Sequence, residues 1–147
     1  MALRERLTEE MKEAMKARDD LKLSTIRMIR SNVKNREIDQ KKELNEQEIV
    51  EIVATLVKQR RESIRMFGEA GRQDLVDKEE KELNLLLDFL PQQLGREEVA
   101  ALVDRVVAEC GAQGGKDMGR VMKALMPHVA GRADGRMVSD IVKEKLG

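Results

Sequence analysis

Apolar residues in the first ninety positions recur every three or four residues, which is the spacing of a single helix face. Leu3, Leu7 and Met11 begin the pattern, and Ile26, Ile29 and Val33 continue it. No stretch alternates apolar and polar residues as a half-buried strand would. The spacing predicts four helices, at about residues 2–18, 20–38, 46–70 and 73–90.

Residues that favour helix ends separate these segments. Asp19 and Asp20 are expected to cap the second helix, because a carboxylate accepts hydrogen bonds from the free N–H groups of a first turn. Asn45 with Glu48 predicts a capping box for the third helix, after a polar loop over residues 41–44. The predicted buried face of that helix is Ile49, Ile52, Val53, Leu56, Ile64 and Phe67.

The chain changes character after Pro91, where glycine becomes frequent and the predicted helices are shorter. Three helices are expected there, at about residues 96–109, 116–129 and 134–146. We therefore predict an all-α fold with a four-helix N-terminal lobe over residues 1–91. A compact three-helix C-terminal lobe is predicted over residues 92–147.

Composition excludes several classes of protein. Twenty-eight Lys and Arg balance 28 Asp and Glu, and aromatic residues make up only 1% of the chain. A dedicated nucleic-acid-binding domain is usually basic, so contact with a nucleic acid would have to come from a local patch. The longest apolar run has five residues, Val99 to Val103, and predicts no membrane span. The first six residues lack the apolar stretch of a secretory signal, so a cytoplasmic location is expected.

Catalytic and metal-binding patterns are weak. The chain has a single histidine, His128, and a single cysteine, Cys110. Nothing in the local sequence orients them as a base and a nucleophile. The more economical interpretation is that Cys110 packs as a small apolar residue and that His128 lies at a helix C-terminus. The glycine-rich segment 111–117 lacks the spacing and the Ser or Thr of a phosphate-binding loop. We expect no catalytic residue, metal or cofactor.

Two cationic stripes lie in the N-terminal lobe. The first is formed by Arg27, Arg30 and Lys34, spaced so that they share a helix face. The second is formed by Lys58, Arg61 and Arg65. Each stripe either faces an acidic or phosphate-bearing partner or pairs with acids of the fourth helix.

A third group of cations lies in the C-terminal lobe, where five of them occur with only two acids, Asp117 and Asp134. The spacing predicts that the first three share one helix face. Gly119 and Gly131 are expected to allow close approach of a ligand to the backbone. The predicted nucleic-acid contacts are Lys116, Arg120, Lys123, Arg132 and Arg136.

Several segments together resemble a known family. In the C-terminal lobe they are MGRVMK at 118–123 and GRADG at 131–135. The others lie at 27–30, 34–38, 58–64, 70–75 and 90–94. The chain resembles the GatB/YqeY family over nearly its whole length, and in particular the free-standing YqeY-like proteins. Its last lobe is similar to the tail of the B subunit of glutamyl/aspartyl-tRNA amidotransferase. Gly95 departs from the family pattern, which has Ser or Thr as the helix cap there.

The resemblance implies a function as well as a fold. The amidotransferase is a carbon-nitrogen ligase that uses glutamine as amido-N-donor, and its tail engages tRNA. This chain has no counterpart of the ATP-binding cradle or the amidase. The resemblance therefore implies a tRNA-binding accessory protein without catalysis, whose partner is tRNA or a tRNA–enzyme complex. The alternatives are a protein-interaction adaptor that docks through Met28, Met66 or the stripes, and an enzyme that acts on amides.

Overall fold

A computed structural model describes residues 2–147, and within that range every regular element is helical. The all-α prediction is confirmed. The chain divides into two compact units, Met1–Leu90 and Pro91–Gly147. The helices of the first unit are α1 (Leu3–Ala17), α2 (Asp20–Gln40), α3 (Glu46–Glu69) and α4 (Gln73–Leu87). Those of the second are α5 (Arg96–Cys110), α6 (Met118–Val129) and α7 (Gly135–Leu146).

The predicted caps form in the first unit. The Asp19 side chain accepts a hydrogen bond from the N–H of Lys22 at 3.2 Å. At the start of α3, the Asn45 side chain accepts from the N–H of Glu48 at 2.9 Å, and the Glu48 carboxylate accepts from the N–H of Asn45 at 3.1 Å. These reciprocal bonds satisfy donors that an isolated helix end would leave free.

The core of the first unit is wider than the apolar pattern predicts. Four of the predicted residues of α3 are buried, whereas Ile64 and Phe67 are only partly so. Val50 and Val57 are buried as well, because α3 packs against all three other helices of the unit. Leu44, predicted to lie in a polar loop, is also buried, at 4% exposure.

The fourth helix ends three residues earlier than predicted. Residues 88–90 form a turn that brings Phe89 into the core, where it is 3% exposed. The guanidinium of Arg6 lies 4.7 Å from the centre of the Phe89 ring, a distance at which the cation attracts the ring face. The turn is thereby attached to α1.

The second unit has its own core, built on the apolar faces of α5, α6 and α7. Its first residues run beside the turn before α7. The N–H of Leu94 donates to the carbonyl of Arg132 at 2.7 Å, and the Gln93 side chain donates to the carbonyl of Gly131 at 2.8 Å. At Gly95, the Glu98 carboxylate accepts from the backbone N–H at 3.3 Å, so α5 starts without a Ser or Thr cap. Across the part of the chain that the structure describes, no helix is both long and apolar enough to cross a membrane.

Candidate nucleic-acid interface

Helix α6 contains no acidic residue, and exposed cations lie on it and on either side of it. Lys116, Lys123 and Arg136 are exposed. Among residues 2–147, no acidic side chain lies within 4.0 Å of any of the three charged groups. None of these three charges is held in a direct ion pair, so a phosphate can contact each of them by displacing solvent ions. We call the five predicted contacts, Lys116, Arg120, Lys123, Arg132 and Arg136, the α6 patch.

The structure corrects the position of Lys116. A helix was predicted from residue 116, but a 3-10 turn over Gly115–Asp117 precedes α6, so Lys116 does not share its helical face with Arg120 and Lys123. The cause is Asp117, whose carboxylate accepts a hydrogen bond from the N–H of Gln113 at 3.0 Å and closes the turn. Arg120 and Lys123, three residues apart on α6, do share a face.

Two members of the patch already have protein partners. The guanidinium of Arg120 lies 3.3 Å from the Asp117 carboxylate, and the Arg120 side chain is 56% exposed. Arg132 is half-buried, and its Nε donates to the carbonyl of Gln92 at 3.3 Å. Arg132 therefore contributes to the fold of the turn as well as to its charge. Asp134 caps α7 by accepting from the N–H of Arg136 at 3.0 Å.

The two glycines proposed for close approach differ. Gly119 lies in the first turn of α6, and a Cβ added there would meet no atom within 4 Å, so its backbone is open to a ligand. Gly131 has φ +72°, a left-handed conformation that a residue with a Cβ adopts only at a cost. The turn before α7 therefore requires glycine at 131 whether or not a ligand binds.

Elsewhere in the second unit, cations are paired with acids. Arg96 contacts Glu144 at 3.0 Å, and Lys145 contacts Asp104 at 3.1 Å. Arg105 lies 3.7 Å from Glu109 on its own helix. Lys143 is the exception, and it lies seven residues after Arg136 on the same face of α7. The unbalanced charge of this unit is concentrated on α6 and its flanks and on one face of α7.

The two stripes of the first unit also differ. Arg27, Arg30 and Lys34 are exposed, with no acidic side chain within 4.0 Å among the described residues. In the second stripe, Arg65 pairs with Glu62 and Glu69 of its own helix, which raises the pKa of Arg65. Lys58 is exposed, and Arg61 is half-exposed. The first stripe therefore carries more unbalanced charge.

A residue beside the second stripe, Arg60, pairs with acids of the fourth helix. Arg60 is half-buried, and its Nε lies 2.8 Å from Glu82 and 3.2 Å from Glu79, both on α4. Adjacent helix residues point about 100° apart, so Arg60 faces α4 while Arg61 points elsewhere. The spacing of basic residues in the sequence does not predict which of these two neighbours faces α4.

The two residues considered for catalysis lie on different helices of the second unit, Cys110 at the end of α5 and His128 on α6. Cys110 is partly buried against the core of the second unit, as predicted. His128 is exposed in the last turn of α6. Within the described part of the chain, no group of three or more His, Cys, Asp or Glu residues is placed to hold a metal ion.

Comparison with known proteins decides the family. The sequence model described as Yqey-like protein matches residues 4–146. The chain belongs to this family. A relative from Kluyveromyces lactis is named altered inheritance of mitochondria protein 41, mitochondrial. It is 40% identical over 107 residues, which are 70% of this chain and 57% of the relative.

Two further relatives of this Yqey-like protein carry the same name. The one from Pyrenophora tritici-repentis is 30% identical over 145 residues, covering 97% of this chain and 80% of the relative. The one from Lachancea thermotolerans is 41% identical over 87 residues, covering 58% and 46%. The chain thus spans about half the length of several curated relatives that it matches.

The names of these relatives overturn the expected cytoplasmic location, because all of them are named as mitochondrial proteins. The expectation rested on the absence of an apolar secretory stretch in the first six residues. That feature distinguishes secreted proteins from others and does not separate the remaining compartments from one another. The expectation was therefore wrong.

Proposed function

We propose that the chain is a non-catalytic accessory protein that binds tRNA, alone or held by a partner enzyme, through the α6 patch. The observation that carries the proposal is the set of unpaired cations at Lys116, Lys123 and Arg136, in a unit whose other cations are mostly paired. The resemblance of residues 118–123 and 131–135 to the tail of the amidotransferase B subunit supports tRNA as the ligand.

The residues of the patch indicate how the RNA is held. Lys123 and Arg136 contact backbone phosphates, and the open backbone at Gly119 lets a phosphate approach the first turn of α6. Arg120, whose side chain is 56% exposed, exchanges its contact with Asp117 for a phosphate at little cost, because a surface ion pair is worth about 1 kcal/mol or less. The unit contains no Phe, Tyr or Trp, so it has none of the large aromatic rings on which bases commonly stack. Recognition is therefore by phosphate position and RNA shape.

A titration of the full chain with tRNA at several KCl concentrations tests the proposal. Binding releases condensed counterions, so the affinity falls with salt on a log–log plot. We expect K123E/R136E to weaken binding strongly and to reduce the magnitude of the salt slope by about 1 for each cation lost. Both positions are exposed, so the fold is retained, which circular dichroism checks.

The matched control is R96E/R105E, which changes the net charge equally on the same unit at two exposed positions of α5. Its tRNA affinity is expected to stay close to that of the unaltered chain. Equal weakening by both double variants, or the absence of salt-dependent binding near the micromolar range, contradicts the proposal. Glutamine-dependent amidation of aminoacyl-tRNA by the isolated chain would contradict the non-catalytic role.

A further inference from the structure

We propose that the first unit binds an acidic amphipathic helix of another protein in a groove between α1 and α2. The groove is open to solvent and has a volume of about 920 Å³. Its floor contains the core residues Leu7, Val33 and Ile49, together with Met11 and Met15 of α1. Met15 is 52% exposed, so a large apolar side chain of the groove is in contact with solvent.

The rim of the groove on α2 is cationic. Arg27, Arg30 and Lys34 all line it, and no carboxylate neutralises them within the described residues. They lie at positions i, i+3 and i+7, so they extend along one side of the groove for about 10 Å. A row of unpaired positive charge beside an apolar floor favours a ligand with a matching acidic row and an apolar face.

The contact made by Arg30 shows that its charge is poorly satisfied. Its Nη1 donates to the Sδ of Met11 at 2.8 Å, and a thioether sulfur is a weak acceptor. A carboxylate from a ligand forms a much stronger, charge-assisted bond to a guanidinium. The other end of the groove differs, because Arg4 already donates to Glu37 at 2.7 Å and to the carbonyl of Leu44 at 3.0 Å. Unsatisfied charge is therefore confined to the α2 rim.

These features fit a helix better than an RNA strand. An amphipathic helix laid in a groove buries apolar residues spaced three and four apart, and methionines adapt their shape to such a partner. Acidic residues at i, i+3 or i+4, and i+7 of that helix would match the spacing of the rim. The residues lining the groove include no aromatic ring for base stacking, and phosphates gain nothing from an apolar floor.

The test uses the full chain and a synthetic peptide of about 20 residues, long enough to form an isolated helix. Its Glu residues follow the rim spacing, and Leu and Met form the adjacent face. A second peptide carries Gln in place of every Glu. We expect the Glu peptide to bind at micromolar concentration in isothermal titration calorimetry, and the Gln peptide to bind about tenfold more weakly or worse. Backbone amide NMR shifts should be confined to α1, α2 and the start of α3.

Matched variants separate the groove from general charge and apolarity. R27E/R30E is expected to weaken binding at least about tenfold, whereas K78E/K81E, with the same spacing and charge change on the exposed surface of α4, is expected to leave it unchanged. M15K should weaken binding, whereas M66K, at a residue 57% exposed on α3, should not.

Four outcomes overturn the proposal. The first is equal binding of the Glu and Gln peptides, and the second is equal loss in R27E/R30E and K78E/K81E. The third is displacement of the Glu peptide from the groove by tRNA at equimolar concentration. The fourth is concentration-dependent self-association that R27E/R30E abolishes, which would make a second copy of the chain the occupant.

Discussion

Glu37 joins α2 to α1 and to the loop before α3. Its carboxylate accepts from the N–H of Leu44 at 2.9 Å and from the Arg4 guanidinium at 2.7 Å. These two hydrogen bonds, that of Leu44 first, hold the pKa of the Glu37 carboxyl below its ordinary value of 4.5. A carboxyl whose pKa is lowered by folding stabilises the protein above its unfolded-state pKa, and this contribution is lost as the pH falls through the folded-state pKa.

We therefore expect E37Q to melt at a lower temperature than the unaltered chain at pH 7, and the difference to shrink as the pH falls below 4.5. Thermal unfolding followed by circular dichroism at pH 7, 4.5 and 3 measures it. The matched control is E43Q. The Glu43 side chain is 79% exposed, and its contact with Arg4 is long, at 3.6 Å, so the melting temperature of E43Q should differ little from that of the unaltered chain at any of these pH values. A difference for E37Q that persists unchanged at pH 3 would contradict the prediction.

At the residue scale, the sequence predicts where charge lies but not which charges are paired. Arg60 and Arg61 are neighbours in the sequence and leave α3 in different directions. Arg60 contacts Glu79 and Glu82 because its side chain points toward α4. Leu44 lies in a loop, as predicted, but its burial was missed because its neighbours are polar, whereas the loop turns inward at the Glu37 carboxylate. Both depend on contacts between residues distant in sequence, which a local pattern does not contain.

At the scale of elements, the predicted helices agree with the structure where local chemistry sets their ends. Asp19 and Asn45 act within three residues of the helix that they cap, so their roles are visible in the sequence. The start of α6 is different, because Asp117 reaches back to Gln113 and holds a 3-10 turn where a helix was expected. Composition predicts a helix there but not the geometry of its first turn.

The two glycines that precede members of the α6 patch in the sequence, Gly119 and Gly131, give opposite predictions. G119A adds a methyl group into open space on a helix, so it should raise the free energy of unfolding by about 0.5–1 kcal/mol. G131A places a Cβ on a residue with φ +72°, so it should lower that free energy by about 1–2 kcal/mol. Urea unfolding of the full chain measures both, and equal effects would contradict the assignment.

The affinity for tRNA gives a second measurement on G119A. If the backbone at Gly119 is a phosphate contact, G119A is more stable but binds tRNA more weakly at fixed salt. Unaltered affinity in a stabilised G119A would show that the RNA does not approach this turn. Because stability and affinity then move in opposite directions, a loss of binding through unfolding is excluded.

At the scale of the whole molecule, a net charge of zero hides two unbalanced surfaces. The balance of 28 cations and 28 acids is a sum, and many of those charges neutralise each other in pairs. Among the charges without a direct ion pair, cations cluster on the α2 rim in the first unit and in the α6 patch in the second. The sequence could indicate both as basic stripes, but the apolar floor beside the first of them became visible only from the packing of α1 on α2.

The two surfaces should be separable in a single set of measurements. R27E/R30E and K123E/R136E lower the net charge by the same amount, so any effect of overall charge on encounter with an anion is equal in both. We expect R27E/R30E to lose the acidic peptide and to keep tRNA, and K123E/R136E to do the reverse. Calorimetry with each probe, on each variant and at the same salt concentration, gives four affinities from which the assignment follows.

Each pattern of loss has a distinct meaning. If both variants lose tRNA equally, only the overall charge matters, and the α6 patch has no special role. If R27E/R30E alone loses tRNA, the RNA follows α2 and the groove is not a peptide site. Reciprocal loss is the one result that requires two surfaces of different chemistry, because a shared site or a uniform field would weaken both ligands together.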